Sequence, residues 1–417
     1  MAVTLKEGHQ AKVVLVHNKE EYSLVDQAVG EFSPHLVGFT SVSSQFAFVK
    51  ELAAAVKKRA PRVPIVCGGV HPTLNPDVVV ETEALDAVFV GESELAFVDF
   101  LKVMENGESY KDENNLAYAE DGKLVRNPLK PLIKNLETLP FPDKQVYPYK
   151  ETIDNKGHAS FGFSRGCPYS CTFCSNHAIA SIYGLKKNTP RFRSVNSSIR
   201  EIEEALSMFP EIKIVYIGDD IFGLNKKWRT EFCREYKKSI PLKFACLLRA
   251  DMVTEDFMAM LSEAGCYRIL FGVESGNEYI RNQVMKKNVS NETIIQAFKL
   301  SRKYGIQPHS INMIGLPGET DKMIWDTIRF NRRLKPTTTG VNIFFPYKRT
   351  QLGDYCFEQG LVDEELYHNF SNERRETVLK FPEEHKRRLN YYQANWNFLV
   401  YPWDMYIRYK RFKHTLS

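Results

Sequence analysis

Apolar positions in this chain come in short runs between polar stretches. Four runs lie near the start: "KVVLV" from Lys12, "HLVGFT" from His35, "VPIVCGG" from Val63 and "DAVFVGE" from Asp86. Each is rich in Val, Ile or Phe and apolar nearly throughout, as strands covered on both faces should be. Between two of them, "FAFVKELAAAVKKRAP" repeats its apolar positions with helical period and stops at Pro61. Strand and helix in turn predict a parallel sheet with helices on both sides, over residues 1–107. Pro128, Pro131, Pro140, Pro142 and Pro148 then crowd a stretch without periodicity, read as a linker over 108–155.

The alternation resumes over 156–350. Strands are predicted at "ASFGFSR" (Ala159), "KIVYIGDD" (Lys213), "LKFACLLRA" (Leu242), "RILFGVES" (Arg268), "HSINMIGLP" (His309) and "GVNIFFPY" (Gly340). Helical patterns fill the gaps. One of them, "TEDFMAMLSEAG", has Thr254 as its N-cap, acids in its first turn and an end near Gly265. Six such units predict a barrel or partial barrel, in which chemistry collects at the C-terminal strand ends. Asp219, Asp220, Arg249 and Glu274 fall there. The remainder, 351–417, reads as a helical, aromatic and basic extension.

Composition adds limits. A chain of 417 residues, 43% hydrophobic and 26% charged, suits an ordinary protein of two or three domains. No run approaches 18 apolar residues and Met1–Gln10 is no signal peptide, so a cytoplasmic location is expected. Seven Lys/Arg and one Asp between His385 and Ser417 contribute +6, more than the whole net charge of +5. The bulk of the chain is therefore not a nucleic-acid binder by charge. The basic tail, with Trp396, Phe398, Tyr401, Trp403 and Tyr406, is expected to cap the barrel; peripheral membrane contact is the alternative.

Eight cysteines in so long a chain do not suggest a disulfide scaffold. Three of them, Cys167, Cys171 and Cys174, crowd "SRGCPYSCTFCSNH" directly after a predicted strand. Thiolates suit zinc or iron–sulfur clusters. A structural zinc site wants four ligands, for which His177 is available. Three thiolates on one loop fit three irons of a cubane and leave the fourth iron open. The other cysteines, Cys67, Cys233, Cys246, Cys266 and Cys356, are scattered and read as small core residues.

"CPYSCTFC", with Phe173 before the last Cys, resembles the cluster loop of the radical S-adenosylmethionine (SAM) superfamily. "YIGDDIFGLN", "LLRADMVTEDFMAMLSEAGCYRILFGVESGNEYI" and "INMIGLPGET" resemble its branch with an N-terminal cobalamin (B12)-binding domain. That branch includes enzymes of the anaerobic magnesium-protoporphyrin monomethyl ester cyclase type. "VGFTSVSSQFAFVKEL", "VPIVCGGVHPT" and "DAVFVGESE" are similar to the cobalamin domain itself. The resemblance implies a flavodoxin-like sheet followed by a partial (β/α)6 barrel. It also implies a [4Fe–4S] cluster on Cys167, Cys171 and Cys174. SAM would lie against Phe173, Gly218, Asp219, Asp220, Arg249, Glu274, Met313, Ile314, Gly315 and Leu316. Cobalamin would lie against Thr40, Ser41, Val42, Gly68 and Gly69. The plainer alternative for Arg249 and Glu274 is a buried salt bridge.

Two departures bear on these expectations. A cobalamin domain of this type has five strands, and only four are read here. The first strand, and the loop that carries D-x-H-x-x-G in proteins with a lower cobalt ligand, are expected to be missing. The second departure is "PYKRT" from Pro346, where Lys348 and Arg349 replace the Pro-Gly of many relatives; this reads as a solvated loop or, more sharply, as a site for an anionic substrate group. The resemblance implies radical chemistry at an unactivated carbon of a small molecule: cobalamin-linked methylation, cyclisation or rearrangement. A low-potential donor such as flavodoxin or ferredoxin would supply electrons. The alternative from another class is a non-catalytic cobalamin- or cluster-based sensor.

Overall fold

The computed structural model describes residues 1–402. Its N-terminal sheet runs β1 (Val37–Thr40), β2 (Ile65–Gly68), β3 (Ala87–Phe89), β4 (Leu116–Glu120) and β5 (Lys123–Arg126), adjacent in that order. β1, β2 and β3 are parallel, as their apolar runs require. Val29, Phe46, Val56, Ile65 and Val88 fill one side; Val66, Ala87, Phe89 and Phe100 fill the other.

Two features differ from the sequence reading. β4 and β5 form an antiparallel hairpin inside the stretch read as linker. The missed signal was Asp121-Gly122, whose φ values of 51° and 71° make the tight hairpin turn. Conversely, "KVVLV" at 12–16 is not a strand. In a flavodoxin-like order, 2-1-3-4-5, the second strand pairs only with the first. No strand precedes β1 among the described residues, so this run has no ladder to join and stays irregular.

The second unit starts at β6 (His158–Phe161) and a short antiparallel pair, β7 (Ser164–Arg165) with β8 (Arg191–Phe192). β9 (Ile214–Ile217), β10 (Lys243–Leu248), β11 (Cys266–Glu274), β12 (Gln307–Ile314) and β13 (Thr338–Ile343) follow. All six predicted strands are present. They pair in parallel in the order β13-β12-β11-β10-β9-β6, a half-barrel. Helices on the convex side are capped by Ser194, Asn225, Thr254, Ser290 and Thr320. Each such cap contributes about 1 kcal/mol.

The first part of the C-terminal extension, with Leu352, Cys356, Tyr367 and Leu379, packs with Phe173, Met313 and Leu316, and the later part packs on the side of the half-barrel. Leu389, Tyr392, Trp396, Leu399 and Val400 pack on Ile314, Ile324, Ile328 and Ile343, over the edge strand β13. Trp396 Nε1 donates to Thr339 Oγ1 at 2.9 Å, and the Tyr401 hydroxyl to the Pro336 carbonyl at 2.6 Å. An edge strand covered in this way is removed as a pairing surface. Phe398 is exposed. Trp403, Tyr406 and the basic end lie outside the described residues. No described helix is long and apolar enough to cross a membrane.

Candidate active site

The cysteine loop leaves β7 at Gly166, whose φ is +95°; an added Cβ would stand 2.5 Å from Asn188 Oδ1. Glycine is the residue that enters this turn. The loop is then fixed from both sides. Thr172 donates its N–H to the Met285 carbonyl (3.1 Å) and its hydroxyl to the Val284 carbonyl (2.8 Å). Leu352 N–H donates to the Thr172 carbonyl at 2.9 Å. Cys167, Cys171 and Cys174 are all free thiols. Burial pushes the Cys174 thiol up to about 11 and raises Cys167, and the Cys171 sulfur beside them raises both further. The three sulfurs thus face one another electrostatically.

The strand ends bring a second group together. Arg249 is 5% exposed and forked on Asp251, with Nε–Oδ1 3.1 Å and Nη2–Oδ2 3.0 Å. Nη2 also donates to the Lys287 carbonyl at 2.9 Å. The guanidinium lies 3.6 Å from the Tyr169 ring centre, and Nη1 is 4.0 Å from Cys171 Sγ. Glu274 sits at φ +63°, after a register shift in the β11–β12 ladder. It pairs with Lys287 at 2.9 Å, both side chains nearly buried. Lys287 was not singled out from the sequence: "VMKKNVS" offers no motif, and only the fold carries it to Glu274.

Asp219 is 2% exposed. Its Oδ1 accepts from Phe163 N–H (2.7 Å) and Ser164 N–H (3.1 Å), tying β9 to the strand that feeds the cysteine loop. Its Oδ2 has no partner, and burial pushes its carboxyl up to about 6. The walls around Asp220 raise its carboxyl too, against the lowering Asn176 amide. Phe173, Met313 and Leu316 share one apolar cluster. Ile314 instead packs outward on Ile324 and Ile328, so only its backbone faces this end. Gly315 and Leu316 donate their N–H groups to Glu319 Oε2 at 2.7 and 3.3 Å. Burial pushes the Glu319 carboxyl up to about 8.

A cavity of about 640 Å³ opens between the two units. Gly68, Gly69 and Phe89 line it from the N-terminal sheet, and Ser164–Gly166 and Gly218–Asp220 from the half-barrel. Gly69 has φ +99°, and a Cβ there would stand 2.6 Å from the Ser41 carbonyl oxygen. Thr40, Ser41 and Val42 adjoin it at the end of β1 without being lining residues. His71 is turned inward: Nδ1 lies 3.0 Å from Ser43 Oγ, and burial lowers its pKa to about 4. Across the cavity, Glu92 grips Arg191 with two bonds of 2.9 and 2.7 Å, and Glu94 holds Arg165 at 2.5 Å. Lys348 and Arg349 are not brought to this cavity. Lys348 lies over the Phe357 and Tyr367 rings, and Arg349 N–H donates to Asp354.

Residues 162–330 match the radical SAM superfamily, and residues 2–101 match the B12 binding domain. The chain carries a radical SAM domain and, before it, a B12-binding domain. An uncharacterized methyltransferase of Pyrococcus horikoshii is 29% identical to this radical SAM chain over 87% of it and 78% of the relative. The anaerobic magnesium-protoporphyrin IX monomethyl ester cyclase of Rubrivivax gelatinosus is 25% identical, over 84% and 64%. Cytidylyl-2-hydroxyethylphosphonate methyltransferase of Streptomyces wedmorensis is 26% identical, over 80% and 69%. Among solved structures, the radical SAM methyltransferase TsrM from Kitasatospora setae matches the fold with a TM-score of 0.72, at 20% identity, over 86% of this chain and 71% of that one. Membership implies a [4Fe–4S] cluster and SAM in the barrel and cobalamin in the N-terminal domain.

The residues present fit the cluster. Three free thiols on one loop, of which Cys171 raises the pKa of the other two, are soft ligands of the kind an iron–sulfur cluster takes. Gly68 and Gly69 line the cavity without side chains, which suits a flat cofactor lying against the N-terminal sheet.

Proposed function

We propose that this enzyme transfers a methyl group to an unactivated carbon of a small molecule, with cobalamin as methyl carrier. The observation that carries the reading is the shared cavity. The backbone cradle of Gly68 and Gly69 faces Gly218–Asp220 and the strand leading to the cysteine loop across one space. Two of the relatives above, and the structure of TsrM, are named as methyltransferases. Cyclisation or rearrangement would need the same barrel but no methyl donor facing it.

On this reading Cys167, Cys171 and Cys174 hold the cluster, whose bound form supplies the electron that cleaves SAM. Arg249 and Glu274 bind the SAM carboxylate and ribose. Both are already held by Asp251 and Lys287, so little side-chain freedom is lost on binding. Phe173, Met313 and Leu316 give the adenine an apolar wall, with backbone from Ile314 and Gly315. Gly218, Asp219 and Asp220 border the methionine part, and Asp219 Oδ2 is the acceptor left open there. Thr40–Val42, Gly68 and Gly69 hold cobalamin. The Glu92–Arg191 and Glu94–Arg165 pairs fix the spacing of the two halves. A low-potential reductant completes the system.

The test is anaerobic. Reconstituted protein is given cobalamin, a reductant and SAM labelled in its methyl group. The expected result is label on cobalamin together with 5′-deoxyadenosine. SAM cleavage without label on cobalamin would return the reading to cyclisation or rearrangement. No SAM cleavage under any condition would favour the sensor.

A further inference from the structure

A second cavity, about 330 Å³, lies at the opposite end of the half-barrel. Its lining comes from Thr152 and from five strands: Ser160 on β6, Tyr216 on β9, Ala245 on β10, Leu270 on β11 and His309 on β12. Leu270 and His309 each stand four residues before a cofactor-end residue on the same strand, Glu274 and Met313, about 13 Å at about 3.3 Å per residue. On β6 and β9 the separation is smaller, with Ser160 and Tyr216 two residues before Gly162 and Gly218 of the central cavity.

The polar groups of this cavity form a built arrangement. In the β10–β11 ladder Phe244 pairs with Cys266 and Ala245 with Arg268, so Tyr267 is the extra residue of a β-bulge. Bulges re-aim side chains, and this one sets both Tyr267 and Arg268 on the cavity. The Tyr267 hydroxyl lies 3.0 Å from His158 Nε2. On the other side of the imidazole, Nδ1 lies 2.8 Å from Asp154 Oδ2. Asp154 Oδ1 also accepts from the N–H groups of Lys156 (2.8 Å) and His158 (3.0 Å). The Asp154 carboxylate is thus held by these N–H groups and the imidazole, and no ion pair joins it to Arg268 among the described residues. Arg268 donates from Nη2 to Gln307 Oε1 at 3.0 Å, while its Nε is buried and has no partner. His309 is tied at Nδ1 to Thr338 Oγ1 at 2.7 Å, and nearby Arg268 adds to the burial that keeps it neutral.

We propose that this lower cavity binds a small amphipathic carboxylate, its carboxylate on Arg268 and its apolar body against Ala245, Leu270 and the Tyr216 ring. Arg268 lines the cavity, and a guanidinium matches a carboxylate. With the Asp154 carboxylate also in the lining, one cation suits a monoanion better than a dianion such as phosphate. The volume is at the small end of the range for metabolite sites, and the mixed lining is of the kind that fixes an apolar ligand by one polar anchor. The site is independent of the methyl-transfer reading, because none of its residues borders the cavity between the two units.

Calorimetric titration of the reconstituted full chain with butyrate, benzoate and inorganic phosphate, with and without SAM, tests it. Butyrate or benzoate should bind saturably, roughly tenfold or more tighter than phosphate, and equally with SAM present. Arg268→Gln should weaken that binding at least about tenfold, the scale of one lost charge-assisted pair. Ala245→Leu, which fills the cavity from β10 and leaves Arg268 in place, should abolish it; this variant carries the test should Arg268→Gln not fold. Absence of saturable carboxylate binding overturns the proposal. So do unchanged affinity in either variant, phosphate binding as tight as carboxylate, and displacement by SAM.

Discussion

The two candidate cofactor walls are built in opposite ways. The half-barrel presents charged side chains already fixed: Arg249 on Asp251 and Glu274 on Lys287, away from the shared cavity, and Asp219, which lines it, on two backbone N–H groups. The N-terminal sheet presents backbone. Gly69 passes so close to Ser41 that no Cβ fits, and the one histidine nearby is turned inward onto Ser43. A charged ligand such as SAM is selected by fixed charges, at a desolvation cost already met by the ion pairs. A large, flat, corrin-like ligand is selected by clearance. The first wall should therefore fail through charge changes that keep shape, and the second through shape changes that keep charge.

The largest effect is expected on the backbone wall. Gly69→Ala forces a Cβ to 2.6 Å from the Ser41 carbonyl at φ +99°. A non-glycine residue in left-handed backbone costs about 1–2 kcal/mol, and the overlap adds to it. Cobalamin retained through gel filtration should fall at least roughly tenfold, with iron content unchanged. Equal loss of both cofactors would mean that the two walls are not separable.

Next is the charged wall. Glu274→Gln keeps the shape and leaves Lys287 nearly buried without its partner. Stability in denaturant should fall by about 3 kcal/mol, the low end for breaking a buried pair. SAM cleavage should drop while the cluster spectrum is unaltered. The double variant Glu274→Gln/Lys287→Met should recover stability but not cleavage. Recovery of both would reduce Glu274 to a structural acid.

The smallest effect sharpens the same contrast. Glu319 is a carboxyl used by the barrel purely as a backbone clamp, on Gly315 and Leu316. Its pKa is raised by burial from about 4.5 to about 8, so the folded state holds a proton that the unfolded state has released. Its contribution is present below pH 4.5 and is lost as pH rises towards 8. Glu319→Gln keeps an acceptor for both N–H groups. It should flatten that decline and leave the variant more stable than wild type near pH 8. Denaturant midpoints at pH 5 and 8 read it. A parallel decline in the variant would place the titration elsewhere.

What was legible in the sequence follows the same division. All six barrel strands were readable as short runs between helical patterns, although β12 (QPHSINMI) and β13 (TTGVNI) carry polar residues and alternate buried with half-buried positions. Cys167, Cys171 and Cys174 were singled out by residue type and spacing, and Arg249 and Glu274 by the resemblance and their place at strand ends. Lys287 and Glu319 were not, since their roles come from partners brought in by the fold. "KVVLV" misled because apolar content specifies a strand only where a neighbouring strand offers a ladder. The β4–β5 hairpin was missed because proline density drew attention from Asp121-Gly122, whose turn geometry carried the signal. The Tyr267 bulge, and with it the lower cavity, has no sequence signature at all: it is a register shift between two otherwise regular strands.

The central claim is that three thiols of one loop, and nothing else in the chain, hold the cluster at which the barrel works. Metal analysis after anaerobic reconstitution tests it most directly. Wild-type protein should carry about four irons per chain, the stoichiometry of one cubane, and Cys167→Ala/Cys171→Ala/Cys174→Ala should carry almost none. Iron that survives the triple change, or stoichiometric zinc in the wild type, would contradict the account.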